Sequence, residues 1–110
     1  MMSVRIKLPL WAALGLALQF TVLAPANAQD INAGQGVARD NCARCHAITR
    51  TDESAHKEAP PFRDVVTRYP PASLAEALAE GISTGHPDMP EFVFSADQVS
   101  DLIAYLEKLQ

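Results

Sequence analysis

Residues 42–46 read Cys-Ala-Arg-Cys-His and contain the only two cysteines of the chain, so the first chemistry to consider is that of paired thiols. Two thiols at this spacing can form a disulfide, hold a metal ion, or attach a haem covalently. His46 follows the second thiol directly and adds an imidazole to the same short segment. Which of the three uses applies depends on what the rest of the sequence can place around them.

Disulfide and zinc chemistry both lack their usual context here. A thioredoxin-like redox pair normally lies in a βαβ unit, and no long alternating run of β-branched residues predicts the strands. A structural disulfide between Cys42 and Cys45 suits an exported protein but would close only a very short loop. Zinc could take both thiols with two of His46, His56 and His86, but their spacing follows no common zinc pattern. Both uses stay open as the less favoured alternatives.

The order C-x-x-C-H is the attachment signature of c-type haem. Two thiols on one helical turn, here Cys42 and Cys45, can reach the two vinyl groups of a single haem and form thioethers. The imidazole of the next residue, His46, can then coordinate the iron from the same turn. Covalent haem attachment therefore gives a use to all three reactive side chains.

A second axial ligand is the further requirement of this interpretation. Met89 lies between two prolines in the segment Gly-His-Pro-Asp-Met-Pro, and proline fixes the local backbone. A methionine that only fills a core gap normally lies in a periodic helix, whereas this one lies in a loop. We favour Met89 over the rival His86, because methionine opposite histidine raises the haem potential and suits electron transfer. His56, in a charged loop, is interpreted as a solvated side chain.

The first 28 residues have the features of a secretory signal peptide. Arg5 and Lys7 precede an apolar stretch over residues 8–23, and the segment ends in Ala-Asn-Ala, an A-x-A cleavage site. We predict cleavage after Ala28, which leaves residues 29–110 as one periplasmic domain. An uncleaved membrane anchor is the alternative, although two polar residues interrupt the apolar stretch.

Removal of the signal would leave an acidic domain. The chain has 9 lysines and arginines against 13 aspartates and glutamates, and loss of Arg5 and Lys7 reduces the basic residues to 7. Such a balance argues against nucleic acid and anionic membranes as partners, and no membrane span is expected in the mature chain. It suits a partner with a basic docking surface, or it serves only solubility. A domain this small often needs a cofactor to supplement its core.

Helix signals are clear in three places. The first helix is expected over residues 31–43, leading into the paired thiols. Ser73, followed three residues later by a glutamate, predicts a capping box before a second helix that stops at Gly81. Ser95 predicts another capping box before a last helix with a continuous apolar stripe. With a short helix over residues 62–69, the sequence predicts an all-α domain whose long loops wrap something other than protein.

Taken together, residues 30–110 resemble a class I cytochrome c of the small bacterial type. The resemblance implies the cytochrome c fold, with three to four helices and long loops around one covalently bound haem c and its iron. Cys42 and Cys45 match the thioether cysteines of the family, and His46 matches the proximal ligand. Met89, with the proline that follows it, matches the distal-ligand motif.

Supporting positions also match this family. Pro60 stands where the family has a proline whose carbonyl accepts the free N–H of the proximal histidine, and Phe62 matches an apolar residue against the haem. Gly34 matches the glycine at which the first and last helices cross, while Leu102 and Tyr105 match the packing pair on the last helix. The chain departs from the family four residues before the first cysteine, where it has an alanine instead of the common aromatic residue.

The resemblance implies a periplasmic electron-transfer protein rather than an enzyme, because an iron with both axial positions filled has no open site for a substrate. Its partners would be redox proteins such as a periplasmic dehydrogenase, a cytochrome complex or an oxidase. One alternative is a haem c subunit of a larger periplasmic dehydrogenase or oxidase complex. Another is a ligand-binding or sensor haem protein, if Met89 does not bind the iron. The mature chain is expected to be a monomer or a complex subunit.

Overall fold

The computed structural model describes residues 28–110, together with positions 3, 5, 22 and 23. Within this part it contains no strand, which confirms the predicted all-α class. Its helical segments are Ile31–Asn41 (α1), Phe62–Arg68 (α2), a 3-10 helix at Pro71–Leu74, Ala75–Glu80 (α3) and Ala96–Lys108 (α4). Among the same residues no helix is both long and apolar enough to cross a membrane. The predicted signal peptide lies almost wholly outside the described residues and stays a prediction.

The first helix begins at a side-chain cap and ends just before the paired thiols. The Asp30 carboxylate accepts the N–H groups of Asn32 and Ala33, which are among the N–H groups that a helix start leaves without partners. The N–H of Asp30 itself donates to the Asp101 carboxylate at 2.8 Å, which joins the start of α1 to α4. The helix ends at Asn41, two residues earlier than predicted, because the chain tightens there into a separate turn.

The last helix supplies most of the buried core. It begins with the predicted capping box, now confirmed: the Ser95 hydroxyl accepts the Gln98 N–H at 3.3 Å and the Gln98 side chain accepts the Ser95 N–H at 3.0 Å. Its apolar stripe faces inward, and the buried members are Val99, Leu102, Ile103, Tyr105, Leu106 and, at the C-cap, Leu109. The stripe predicted from the sequence is therefore the face on which the domain packs.

The capping box predicted at Ser73 is wrong. Two prolines precede this serine, and Pro71 fixes a backbone angle suited to starting a helical turn early. The N–H of Ser73 already donates to the Pro70 carbonyl at 2.9 Å, so the serine lies inside the 3-10 helix and cannot cap the following one. The α-helix begins at Ala75 without a side-chain cap. Its predicted stop is confirmed, because Gly81 ends it with a φ of 108°.

Helices α1 and α4 cross in close contact at Gly34. A Cβ atom built on this glycine would overlap the backbone carbonyl of Asp101 and lie 2.9 Å from the Cβ of Tyr105. Ala38, one turn further along α1, is completely buried. The Tyr105 hydroxyl donates to the Ile48 carbonyl at 2.5 Å. The crossing glycine and its tyrosine neighbour thus have the positions that the resemblance implied.

We expect Gly34→Ala to destabilise the holoprotein, because the added methyl group forces the two backbones apart at a cost of about 1–3 kcal/mol or more. Gly36 on the same helix is the matched control, since its nearest neighbour would be a flexible arginine nitrogen at 3.8 Å. Gly36→Ala should be neutral or stabilising by up to about 1 kcal/mol through helix propensity. Thermal and urea unfolding of both variants measure the difference, and equal stabilities would contradict the close crossing.

Candidate functional site

The two thiols and the histidine of residues 42–46 lie on one tight turn at the end of α1. The Cys42 N–H donates to the Ala38 carbonyl at 2.8 Å and so continues the helical pattern by one residue. The Cys42 carbonyl then accepts two N–H groups, from Cys45 at 3.1 Å and from His46 at 2.9 Å. Because it accepts both hydrogen bonds, the Cys42 carbonyl closes the turn. The two cysteines and the histidine all line the same cavity.

The imidazole of His46 is oriented by a backbone carbonyl from the next loop. Its Nδ1 lies 2.8 Å from the carbonyl oxygen of Pro60. Because a carbonyl oxygen can only accept, Nδ1 carries the proton of the neutral ring and Nε2 keeps its lone pair for a metal. The ring of Phe62 lies against this imidazole, with centroids 5.2 Å apart. The structure therefore contains the histidine–carbonyl contact that the resemblance implied for Pro60.

The loop that carries Pro60 is organised by a carboxylate that the sequence analysis did not single out. Asp52 accepts the N–H of Ile48 at 3.0 Å and the N–H and hydroxyl of Thr49 at 2.9 and 2.7 Å. Partial burial alone would raise the pKa of Asp52, but these hydrogen bonds, led by that from Thr49, lower it. Arg63 on α2 donates to the carbonyls of Thr49 and Asp52 and fastens the loop to the helix.

All six predicted site residues line one cavity of about 720 Å³, within the size range of cofactor sites. They are Cys42, Cys45, His46, Pro60, Phe62 and Met89. The rest of the wall is largely apolar and comes from α2, α3, α4 and the loops between them: Val65, Leu74, Leu78, Ile82, Phe92, Phe94, Leu102 and Leu106. Residues far apart in sequence thus share one apolar enclosure.

Met89 enters the cavity from the loop between α3 and α4, as predicted. The loop leaves α3 at Gly81, and the N–H of Phe94 returns to the Leu78 carbonyl at 3.0 Å, which closes the base of the loop. Within the loop the Met89 N–H donates to the His86 carbonyl at 3.2 Å. The methionine is half-buried, and it reaches the cavity from a different segment than the paired thiols.

The other two histidines are each about a third exposed, and both pair with carboxylates. His86 Nε2 lies 2.5 Å from the Glu58 carboxylate, and His56 Nε2 lies 3.3 Å from the Asp88 carboxylate. The interpretation of His56 as a solvated side chain holds only in part, since it is one-third exposed but also pairs across to the Met89 loop and lines the cavity. A signal for this pairing was present: each loop has a histidine followed two residues later by an acid.

This arrangement fits a covalently held haem. Two thiols and a metal-ready imidazole stand on one turn, a thioether stands on another loop, and apolar side chains supply the walls. Burial raises the pKa of the Cys42 thiol to about 11, which disfavours the thiolate that a reactive redox pair requires. In the described residues, moreover, no three His, Cys, Asp or Glu side chains are grouped to hold a metal ion by themselves.

Comparison with protein-family models gives a match to the one described as Cytochrome C oxidase, cbb3-type, subunit III, over residues 29–106. The matched region contains all six predicted site residues and ends within α4. Searches of curated proteins and of solved structures found no match.

We expect Asp52→Asn to lower the free energy of unfolding at pH 7 by up to about 1 kcal/mol, because its part-buried N–H partners lose a charged acceptor that solvent screens in part, its side chain being 38% exposed. Since folding lowers the pKa of Asp52, its stabilisation is complete above the unfolded-state pKa of about 3.9 and is lost as the pH falls through the folded-state value. The gap between wild type and variant should therefore close in acid.

Urea unfolding of the holoprotein from pH 7 downward measures this gap. Glu53→Gln is the control, because Glu53 is exposed in the same loop and its side chain makes no hydrogen bond to the described residues. A loss of stability that is the same at every pH would contradict the role given to the Asp52 charge.

Proposed function

This chain belongs to the family described as cytochrome c oxidase, cbb3-type, subunit III, a c-type haem-binding family, and from that premise we propose that it is a periplasmic one-electron carrier. The chain is a c-type cytochrome, and its cofactor is haem c with iron. The observation that carries the proposal is the meeting of the thiol turn, a His46 Nε2 with a free lone pair, and the Met89 thioether in one apolar cavity.

Each predicted site residue has a distinct task in this proposal. Cys42 and Cys45 would anchor the haem through thioethers, and His46 and Met89 would supply ligands to its iron. When bound, the haem supplies a one-electron redox couple. The Pro60 carbonyl fixes the His46 ring and increases its basicity as a ligand, which is a usual effect of such outer hydrogen bonds.

Methionine ligation supports a carrier rather than an enzyme. A thioether opposite histidine raises the potential of the iron. With His46 and Met89 both bound, no coordination position would be left for a substrate. The remaining activity is exchange of one electron with a docked protein.

The periplasmic location rests on the predicted signal peptide and on the site of haem attachment, which in bacteria lies outside the cytoplasm. The proposed partners are redox proteins, namely a dehydrogenase, a cytochrome complex or an oxidase, met through small and short-lived contacts. The excess of acidic over basic residues suits partners with a basic docking surface.

A second candidate function is that of a haem c subunit held permanently in a larger dehydrogenase or oxidase complex. The family description, which names an oxidase subunit, favours it. Purification from the native host distinguishes the two functions, because a carrier elutes as a monomer and a subunit elutes with a catalytic chain.

We expect Met89→Ala to keep the covalent haem but to lose the weak far-red absorption band of methionine bound to ferric iron. The potential should fall by on the order of 0.1 V, within the range of about 0.8 V that axial ligands set. Optical redox titration of the purified holoprotein measures both effects. Val93→Ala, an exposed change near the same loop, is the control, and an unchanged potential in Met89→Ala would refute methionine ligation.

We expect the double change Cys42→Ala, Cys45→Ala to abolish covalent attachment, because no thiol is left to form a thioether. Haem staining after denaturing electrophoresis measures attachment, in a host able to mature c-type cytochromes. Ser73→Ala is the control, since this exposed serine caps no helix and lies outside the cavity. Haem that stays with the denatured double variant would contradict the assignment of the thiols.

A further inference from the structure

We propose that Glu58 selects the axial ligand: its carboxylate holds the imidazole of His86 away from the iron and so leaves that position to Met89. The inference rests on the proposed His/Met ligation and extends it to the question of why His86 does not bind instead. Glu58, which itself lines the cavity, would thus be a positioning residue that acts through His86 rather than by binding the iron.

Two potential iron ligands compete within one short loop. His86 precedes Met89 by three residues, and both side chains line the cavity. The Met89 N–H donates to the His86 carbonyl at 3.2 Å, so one turn carries both side chains. Imidazole is itself a common ligand of haem iron. The loop sequence alone therefore permits either ligand, and a contact from outside the loop has to decide.

Glu58 supplies that contact. Its Oε2 lies 2.5 Å from His86 Nε2. A carboxylate can only accept a hydrogen bond, so Nε2 carries a proton and has no lone pair to give to a metal. The nitrogen that reaches farthest from the backbone is thus withdrawn from ligation. Met89, by contrast, makes no side-chain hydrogen bond to any described residue. Its sulfur would therefore break no hydrogen bond on binding the iron.

The Glu58 contact belongs to a reciprocal pair between the same two loops. His56 and Glu58 stand on the loop that carries Pro60, while His86 and Asp88 stand on the loop that carries Met89. Each histidine contacts the acid of the other loop, and the two rings meet edge to face with centroids 5.7 Å apart. Turning His86 towards the iron would break its bond to Glu58 and its contact with His56.

Glu58 is itself held in place by its own loop. Its N–H donates to His56 Nδ1 at 3.2 Å, and the His56 N–H donates to the Cys45 carbonyl at 3.1 Å. Two residues further on, the Pro60 carbonyl holds His46. The carboxylate that restrains His86 is therefore attached to the half of the site that holds the proximal ligand.

The exposure of this ion pair separates ligand selection from folding. The side chains of His86 and Glu58 are 34% and 70% exposed, and exposed ion pairs contribute little to the stability of a fold. Loss of Glu58 should therefore leave the holoprotein folded and change only which side chain binds the iron.

The test is Glu58→Ala in the full holoprotein, examined by far-red absorption of the ferric form and by optical redox titration. We expect loss of the methionine–iron band, a low-spin spectrum with two nitrogen ligands, and a lower potential. Adding His86→Asn to this variant should restore the band, because the competing imidazole is gone. Glu58→Gln, which keeps an acceptor oxygen, should retain more of the band than Glu58→Ala.

Glu53→Ala is the matched control, since it removes the same charge from an exposed position in the same loop. A Glu58→Ala protein with the wild-type band would overturn the inference and leave His/Met ligation intact. So would a lost band that His86→Asn fails to restore, because the loss would then not come from His86. Absence of the band in wild type would refute methionine ligation and the selection role together.

Discussion

The rest of this structure depends on one constraint: a small helical domain surrounds an apolar cavity with side chains that would otherwise form its core. The buried residues come largely from α4, with Ile103 only 6% exposed, whereas several aromatic and aliphatic side chains of α2, α3 and the loops line the cavity. Apolar walls of this kind are stable only against an apolar partner. The haem is therefore part of the core, and folding and cofactor retention are one problem.

The helices and the loops solve different parts of this problem. Helices α1 and α4 need close backbone contact at Gly34 and a capped start at Ser95, and these give a rigid frame. The loops have no such packing, and ordering them costs conformational entropy. They are ordered by side chains that bond to backbone, as Asp52 does with Ile48 and Thr49, and by the bond from His46 to Pro60.

Sequence reasoning succeeded where the relevant physics is local. The thiol turn, the capping box at Ser95 and the stop at Gly81 each depend on residues within one or two turns, so their spacing carried enough information. The capping box at Ser73 failed because the prolines before it start a 3-10 helix that competes with the cap.

The partners of the remaining site residues could not be read from spacing. His56 contacts Asp88, which lies 32 residues away along the chain, and His86 contacts Glu58 at a separation of 28 residues. Such pairs form only after the helices have brought the two loops together. The His-x-acid pattern in each loop indicates that they can pair but not that they do. The role of Asp52 was missed because an aspartate in a polar loop resembles many solvated ones.

The strength of a contact and its importance for function need not agree in this site. The tight crossing at Gly34 stabilises the fold, but its contacts are with Asp101 and Tyr105 on α4 and not with either candidate ligand. The exposed pair of Glu58 and His86 adds little to folding, yet in the proposed selection it acts on two candidate ligands that stand three residues apart and line the same cavity. An exposed pair of this kind contributes up to about 1 kcal/mol, which changes the ratio between two competing ligands about fivefold. A weak contact can therefore shift the choice of ligand, and with it the potential, in a fold that stronger contacts have already fixed.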